Sequence, residues 1–165
     1  MAGMFLYFAY GSNMLTRRLT ARTPSAAAVG TGFVEGYRLS FDKVSSDGSG
    51  KCDIEPTNNT ADRVYGVIFR IAAAEAGALD DAEGLGRGYR KGEVQVVTSD
   101  GTSPAVAYFA TEKDPARRPY HWYKAFVVEG AIEHALPQAY IDGLRAVASQ
   151  PDPNASRRAR NEALL

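Results

Sequence analysis

Short runs of alternating apolar and polar residues, interrupted by a few helical stretches, constrain the fold of this chain more than any other feature of its sequence. Such alternation is typical of half-buried strands, whereas apolar residues about three or four positions apart indicate amphipathic helices. The predicted strands cover residues 5–10, 33–43, 52–55, 64–71, 89–98 and 105–110, and the predicted helices cover 15–19, 72–83, 120–134 and 138–148. Because one sheet and several helices must share a core, we expect a mixed α/β (α+β) fold around a closed or strongly curved sheet.

Length and composition predict one ordinary domain. The chain has 165 residues, of which 45% are hydrophobic, and this is enough to bury a core. Residues 1–148 are therefore assigned to a single domain. Residues 149–165 contain Pro151, Pro153 and three arginines with little apolar content, so they are predicted to be a loosely ordered C-terminal tail.

The charge balance predicts a small-molecule partner. Lysine plus arginine equals aspartate plus glutamate at 19 each, so no net field attracts nucleic acid or an anionic membrane surface. The N-terminal stretch lacks a basic segment, and no apolar run approaches the length of a membrane span. We expect a cytoplasmic protein that binds neither nucleic acid nor membrane, and we leave open whether it is a monomer or a homodimer.

The metal-binding and nucleophilic residues are few. Cys52 is the single cysteine, and His121 and His134 are the two histidines. A single cysteine excludes an internal disulfide, and the sequence offers no cluster that resembles a zinc or iron site. Neither a metal nor another cofactor is expected. Because no histidine is predicted near Cys52, a cysteine packed in a strand is favoured over a catalytic thiol.

The junction between the first strand and the first helix predicts a seat for an anion. An aromatic strand runs through Gly11, Ser12 and Asn13 into a helix on which Leu15 and Leu19 share one face. Backbone N–H groups at such a helix start lack partners and favour a carboxylate or phosphate, and Ser12 or Asn13 is expected to cap the helix. The alternative is a purely structural turn, since short motifs with glycine are common. A nucleotide phosphate fits poorly because the longer glycine-rich run and its lysine are missing.

Glu83 is the acidic residue with the most unusual predicted position. It follows Leu79 by four residues and Ala76 by seven, so helical spacing places it on the inward apolar face. Burial, the negative helix end and nearby Asp80 all raise a carboxyl pKa. A pKa near neutrality needs a rise of about two to three units at about 1.4 kcal/mol each, so burial must supply most of it. Such a group suits proton transfer, whereas the alternative is a solvated acidic turn with Asp80 and Asp81.

Tyrosines are the third feature, and they cluster near the proposed elements. They are Tyr7, Tyr10, Tyr89, Tyr108, Tyr120 and Tyr123. Aromatic walls with phenolic hydroxyls would exclude water from a carboxylate and orient a polar ligand. Core packing is the alternative for each of them taken singly.

These motifs together resemble those of the gamma-glutamylcyclotransferase family, and the similarity follows the chain in order through most of its length. The matching segments are Leu6-Tyr7-Phe8-Ala9-Tyr10-Gly11-Ser12-Asn13-Met14, Leu79-Asp80-Asp81-Ala82-Glu83-Gly84 with Tyr89 behind it, and Gly130-Ala131 before Leu136-Pro137 with Tyr140. The resemblance implies a small mixed, partly closed β-barrel flanked by helices. It also implies an enzyme without a cofactor that performs an intramolecular, lyase-type acyl transfer.

The reaction that the resemblance implies cyclises the gamma-glutamyl group of a small amine or amino-acid donor to 5-oxoproline and releases the amine, as in glutathione metabolism. By the same resemblance, Glu83 is the catalytic general base and acid. The implied substrate-binding residues are Tyr7, Phe8, Ala9, Tyr10, Gly11, Ser12, Tyr89 and Tyr123. Tyr120 is a rival of Tyr123 for the last position.

Two further alternatives stay open at this point. The chain could be a non-catalytic module that binds a small anionic, amino-acid-like ligand and uses Glu83 to recognise an ammonium group. The segment 44–62, rich in Ser, Gly and Asn, is either a loop that shapes the leaving-group pocket or a passive connection.

Overall fold

A computed structural model describes residues 3–165 of the chain. Seven strands are present there: β1 (Met4–Ala9), β2 (Ala27–Glu35), β3 (Tyr37–Val44), β4 (Gly50–Pro56), β5 (Arg63–Ala72), β6 (Tyr89–Thr98) and β7 (Gly101–Ala110). The helices are α1 (Thr16–Thr20), α2 (Ala76–Glu83), α3 (His121–Glu133), α4 (Gln138–Arg145) and α5 (Ala155–Glu162), with short 3₁₀ turns at Ser12–Met14 and Ala73–Glu75. No helix within these described residues is long and apolar enough to cross a membrane.

Five of the strands close into a barrel in the order β1–β5–β2–β6–β7, with β7 returning to β1. Neighbouring strands are antiparallel except for β1 and β7, which are parallel where Tyr7 lies opposite Val106. Phe8, Phe69 and Val96 on these strands have no exposed surface, so the alternating apolar residues form the core as expected. The barrel with its helices confirms the predicted mixed α/β fold.

The predicted strand over residues 33–43 is two strands in the structure. Phe33 pairs with Tyr65 in the barrel, whereas Tyr37 pairs with Pro56 in a separate two-stranded sheet of β3 and β4. Gly36 between them has φ of 77°, a left-handed conformation that turns the chain out of the barrel. Sequence alternation continues across this turn, and this is why one strand was predicted.

Several predicted boundaries also move. β2 begins at Ala27, in a run of small residues that carries little strand signal, and β7 begins at Gly101 rather than at residue 105. The helix predicted over 138–148 ends at Arg145, and the helix predicted over 72–83 begins as a 3₁₀ turn. The strand predicted over 64–71, the hairpin at residues 100 and 101, and the long helix from residue 121 are confirmed.

The prediction that residues 149–165 are a loosely ordered tail is wrong, because this segment contains α5 and is held to the rest of the chain. Asp152 is only 1% exposed and accepts hydrogen bonds from Trp122 Nε1 at 2.9 Å and from Arg157 Nη2 at 2.6 Å. The Asn154 side chain caps α5 by accepting from the backbone N–H of Arg157 at 2.9 Å. These polar contacts attach the last helix to α3, and the low apolar content of the segment gave no sign of them.

Helix α3 supports the N-terminal loop by direct backbone contact. A Cβ added at Gly130 would lie 2.6 Å from the backbone nitrogen of Leu15 and 2.7 Å from the carbonyl carbon of Met14. Any larger residue at this position would therefore separate the helix from the loop. The N-terminal 3₁₀ turn is held against α3 because position 130 has no side chain.

Candidate active site

A small cavity of about 30 Å³ lies where β1 leaves the barrel and meets the end of α2. Its walls come from the N-terminal loop, β4, the end of α2, β6, β7 and α3. The lining residues are Tyr7, Tyr10, Gly11, Ser12, Asn13, Cys52, Glu83, Tyr89, Tyr108 and Tyr123. The fold thus brings the predicted anion seat, the predicted inward glutamate and most of the predicted tyrosines to one place.

Gly11 and Ser12 of the N-terminal loop line the cavity. Their carbonyl groups accept hydrogen bonds from the N–H groups of Met14 and Leu15 at 3.1 and 3.3 Å. Their own N–H groups donate to no acceptor among residues 3–165. A small anion in the cavity would supply the missing acceptors.

The predicted helix cap at Ser12 or Asn13 is wrong. A 3₁₀ turn separates these residues from α1, which begins at Thr16 without a side-chain cap. Ser12 Oγ instead accepts from Arg18 Nε at 3.1 Å, and Asn13 turns its amide towards Glu83. Both side chains are therefore available to the cavity rather than used to start a helix.

Glu83 is the last residue of α2 and points into the cavity. Gly84 follows it with φ of 68° and ends the helix. Glu83 Oε1 accepts hydrogen bonds from Asn13 Nδ2 at 2.6 Å and from the Tyr7 hydroxyl at 3.2 Å. Asp81 on the same helix is exposed, so the inward direction predicted from the spacing to Leu79 holds for Glu83.

Burial raises the pKa of Glu83 above its usual value. The positive charge of Arg22, the hydrogen bond from Tyr7 and the charges of Lys51 and Arg18 oppose this rise. Asp80 was expected to contribute as well, but its carboxylate turns away to Lys91 Nζ at 2.9 Å and to the Tyr108 hydroxyl at 2.5 Å. The raised pKa therefore comes from burial.

The hydroxyls of two cavity tyrosines are held by the backbone of Cys52. Tyr89 donates to the carbonyl of Cys52 at 2.7 Å, and the hydroxyl of Tyr123 accepts from the N–H of the same residue at 3.0 Å. Burial raises the pKa of both phenols well above the usual value, so both are neutral at pH 7. Tyr120 instead donates to the carbonyl of Asp47 at 2.5 Å and does not line the cavity. Between the two rivals, the geometry favours Tyr123.

The residues that line the cavity differ in part from the predicted site residues. Phe8 and Ala9 are wholly buried in the core and do not line the cavity. Asn13 and Cys52 line it without having been assigned to a site, and Tyr108 lines it as one of the clustered tyrosines. The amide directly after Gly-Ser was the sequence signal for Asn13.

Cys52 is a wall of the cavity rather than an activated thiol. Burial raises the pKa of its thiol far above the usual value, which keeps the sulfur protonated. Its backbone N–H and carbonyl are the groups that hold Tyr123 and Tyr89. Within residues 3–165, no three side chains of His, Cys, Asp or Glu converge as metal ligands would.

The segment 44–62 contributes to the wall of a second cavity. It contains β4, and before that strand a tight turn in which Asp47 Oδ1 accepts from the backbone N–H of Ser49 at 2.9 Å. Val44, Ser45, Ser46 and Lys51 line a wider space that opens outward from the first cavity.

We compared the chain with family models, with curated proteins and with solved structures. Residues 63–144 match the model of the AIG2-like family. The chain is 32% identical over 149 residues to human gamma-glutamylcyclotransferase, covering 87% of this chain and 78% of that protein, and 31% identical over 147 residues to the mouse protein of the same name, with the same coverage. A solved structure of a gamma-glutamyl cyclotransferase matches with a TM-score of 0.86 at 29% identity, covering 98% of this chain and 99% of that one. These matches confirm the resemblance seen in the sequence.

Proposed function

Because this chain belongs to the gamma-glutamylcyclotransferase family, we propose that it converts the gamma-glutamyl group of a small donor to 5-oxoproline, with Glu83 as general base and then general acid. The enzyme class follows from the family. The observation that carries the proposed role of Glu83 is its carboxylate, which lies in a cavity also lined by the unpaired amides of Gly11 and Ser12. The site lies inside the predicted domain of residues 1–148.

In the proposed complex, the donor is curled between the loop and the glutamate. Its α-carboxylate accepts hydrogen bonds from the N–H groups of Gly11 and Ser12. Its α-ammonium group faces Glu83, which already accepts two hydrogen bonds and has lone pairs left for a third. Neutral tyrosines line the cavity and would keep water away from the gamma-carbonyl.

The reaction then needs one proton carrier. Glu83 takes a proton from the α-ammonium group, and the freed lone pair of the nitrogen attacks the gamma-carbonyl carbon to form the ring bond. The tetrahedral intermediate collapses as the bond from this carbon to the leaving nitrogen breaks. Glu83 returns its proton to that nitrogen and then carries the second proton that the ring nitrogen must lose to the same leaving nitrogen, so the products are 5-oxoproline and the released amine as its ammonium ion.

Intramolecular attack explains why no covalent nucleophile is needed. Holding the amine against the carbonyl lowers the barrier by on the order of 7–11 kcal/mol in well-oriented cases. The enzyme's main task is therefore to fold the substrate. The raised pKa of Glu83 supports the dual role, because a group that both takes and returns a proton works best when its pKa is near the working pH.

The test is an assay of 5-oxoproline with three kinds of donor: free gamma-glutamyl amino acids, glutathione and gamma-glutamyl amines. Turnover of at least one donor is expected, with a loss of at least about a hundredfold in Glu83→Gln. Glu129→Gln, which changes an exposed glutamate on α3, is the matched control and keeps full activity.

Two outcomes of this assay contradict the proposal in different ways. Near-normal turnover in Glu83→Gln removes this residue from the mechanism. Tight binding of a gamma-glutamyl ligand without product from any donor favours a non-catalytic binding module. The identity of the donor and a cytoplasmic site of action stay predictions.

A further inference from the structure

The wider cavity outside the proposed active site, which we term the vestibule, is strongly basic. It shares Ser12, Glu83, Tyr89 and Tyr123 with the inner cavity and continues outward from them. Its cationic lining residues are Arg18, Arg22, Lys43, Lys51 and Arg87, and its acidic ones are Asp81 and Glu83. Because the whole chain has a formal net charge of zero, this excess is a local feature.

Arg18 is a buried cation without a counter-ion. It is 8% exposed, and its guanidinium lies over the ring of Phe126 at 4.6 Å. Its Nε donates to Ser12 Oγ, yet no carboxylate among residues 3–165 lies within 4.0 Å of its nitrogens. An unpaired charge in such a place is costly unless a ligand supplies the opposite charge.

The other cations of the vestibule are nearly as poorly compensated. Lys51 has one acidic partner, Asp47, at 3.7 Å. Arg22 donates to the amide oxygen of Asn13 at 3.2 Å, and Lys43 lies over the ring of Tyr89 at 4.6 Å. Within residues 3–165 neither of them, nor Arg87, forms an ion pair.

The glutamyl half of a donor cannot neutralise this charge. In the proposed complex it brings one α-carboxylate, which lies on the loop amides beside Ser12 and therefore near Arg18 alone. Lys43, Lys51 and Arg87 line the vestibule and not the inner cavity, on the side to which the leaving amine must project. A leaving group that carries negative charge therefore complements these cations.

We propose that the vestibule binds the leaving half of the donor and selects leaving groups with two or more negative charges, such as an acidic amino acid or an acidic peptide. This inference rests on the proposed function. It predicts that donors with neutral and cationic leaving groups are poorer substrates, because these leaving groups leave the clustered cations of the vestibule without partners.

Three donors that differ mainly in charge test the proposal. Gamma-glutamylglutamate and gamma-glutamylglutamine have leaving groups of nearly the same shape that differ by one negative charge, and gamma-glutamyllysine linked through the α-amine has a cationic side chain. We expect kcat/KM for the glutamate donor to exceed that for the glutamine donor by at least about tenfold, or about 1.4 kcal/mol. The lysine donor should be poorer still, and added salt should narrow the differences.

Variants locate the preference in the vestibule. The double variant Lys43→Gln/Arg87→Gln should bring the kcat/KM values of the glutamate and glutamine donors together, chiefly by lowering the former. Arg160→Gln, which removes an exposed cation on α5, is the control and should keep the preference. A preference that survives in the double variant would overturn the assignment to these residues.

The outcomes separate this inference from the function on which it rests. Equal kcat/KM for the glutamate and glutamine donors in the wild-type protein overturns the inference and leaves the cyclotransferase reaction standing. Formation of 5-oxoproline from none of the three donors, nor from glutathione or gamma-glutamyl amines, overturns both.

Discussion

Asn13 Nδ2 donates a hydrogen bond of 2.6 Å to Glu83 Oε1 and so connects the N-terminal loop to the end of α2. The oxygen of the same amide accepts from Arg22 Nη1 at 3.2 Å, and this fixes which side of the amide faces the carboxylate. The two elements are 70 residues apart in the chain. The position of the proposed base is therefore set by the loop that is proposed to hold the substrate.

Replacing Asn13 should lower activity through Glu83. In Asn13→Ala we expect kcat to fall by at least about tenfold, since a hydrogen bond to a charged group contributes about 1.5–3 kcal/mol. Losing this donor should also raise the pKa of Glu83 and move the acidic limb of the kcat/KM profile to higher pH. Asn59→Ala, in an exposed turn, is the control. An acidic limb that stays in place would show that Asn13 does not act on Glu83.

Glu83 should also cost the folded protein stability at neutral pH. Its pKa is raised on folding, so the stability that it contributes is fully present below the unfolded pKa and is lost as the pH rises through the folded pKa. The free energy of unfolding of Glu83→Gln, relative to wild type, should therefore increase as the pH rises from about 4 towards neutrality, by about 1.4 kcal/mol for each unit of the shift. Denaturant titrations of both proteins across this range measure it. A difference that does not change with pH would contradict the raised pKa.

Removing the hydroxyl should lower activity at Tyr123 and leave it nearly unchanged at Tyr120. Tyr123→Phe removes the acceptor of the Cys52 N–H and a polar wall of the cavity, so kcat/KM should fall by at least about tenfold and the free energy of unfolding by about 1–3 kcal/mol. Tyr120→Phe loses a bond to the Asp47 carbonyl outside the inner cavity and should keep kcat/KM within about threefold, a difference under 1 kcal/mol. Steady-state kinetics on both variants decide the assignment, and the reverse order would restore Tyr120 as the pocket residue.

Asp152 should matter for stability and not for chemistry. In Asp152→Ala, Trp122 Nε1 loses its buried acceptor and Arg157 loses its ion pair, so the free energy of unfolding should fall by about 1–3 kcal/mol. Under conditions where the variant is folded, kcat/KM should match that of wild type. Thermal unfolding and the 5-oxoproline assay measure the two effects, and unchanged stability would show that the tail is not attached as the structure describes.

Local patterns predicted the elements that one stretch of sequence determines by itself. The strand from Arg63, the hairpin before Gly101 and the inward side of Glu83 all follow from residues a few positions apart. The break at Gly36 was missed because alternation continues across it, and the strand from Ala27 was missed because its small residues are held by pairing with β5. Closure of the barrel depends on such distant pairings.

The candidate site was predictable only in part, for the same reason. Residues 7–12 and Glu83 stand out through local spacing and family resemblance. The side-chain contacts of Ser12 and Asn13 were predicted wrongly, because a 3₁₀ turn that no local signal marks separates these residues from the helix that they were expected to cap. The basic vestibule was hidden as well, since its cations come from separate segments and the overall charge is balanced.

The close contact at Gly130 links the position of α3 to the shape of the cavity. Since α3 packs directly on the backbone of Met14 and Leu15, a change in the position of that helix also moves the N-terminal loop that lines the cavity. Substitutions beneath α3 would thus change which donors fit the cavity, while the residues that line it stay the same. Related enzymes would then diverge in donor specificity through the packing of α3 rather than through the residues that line the cavity.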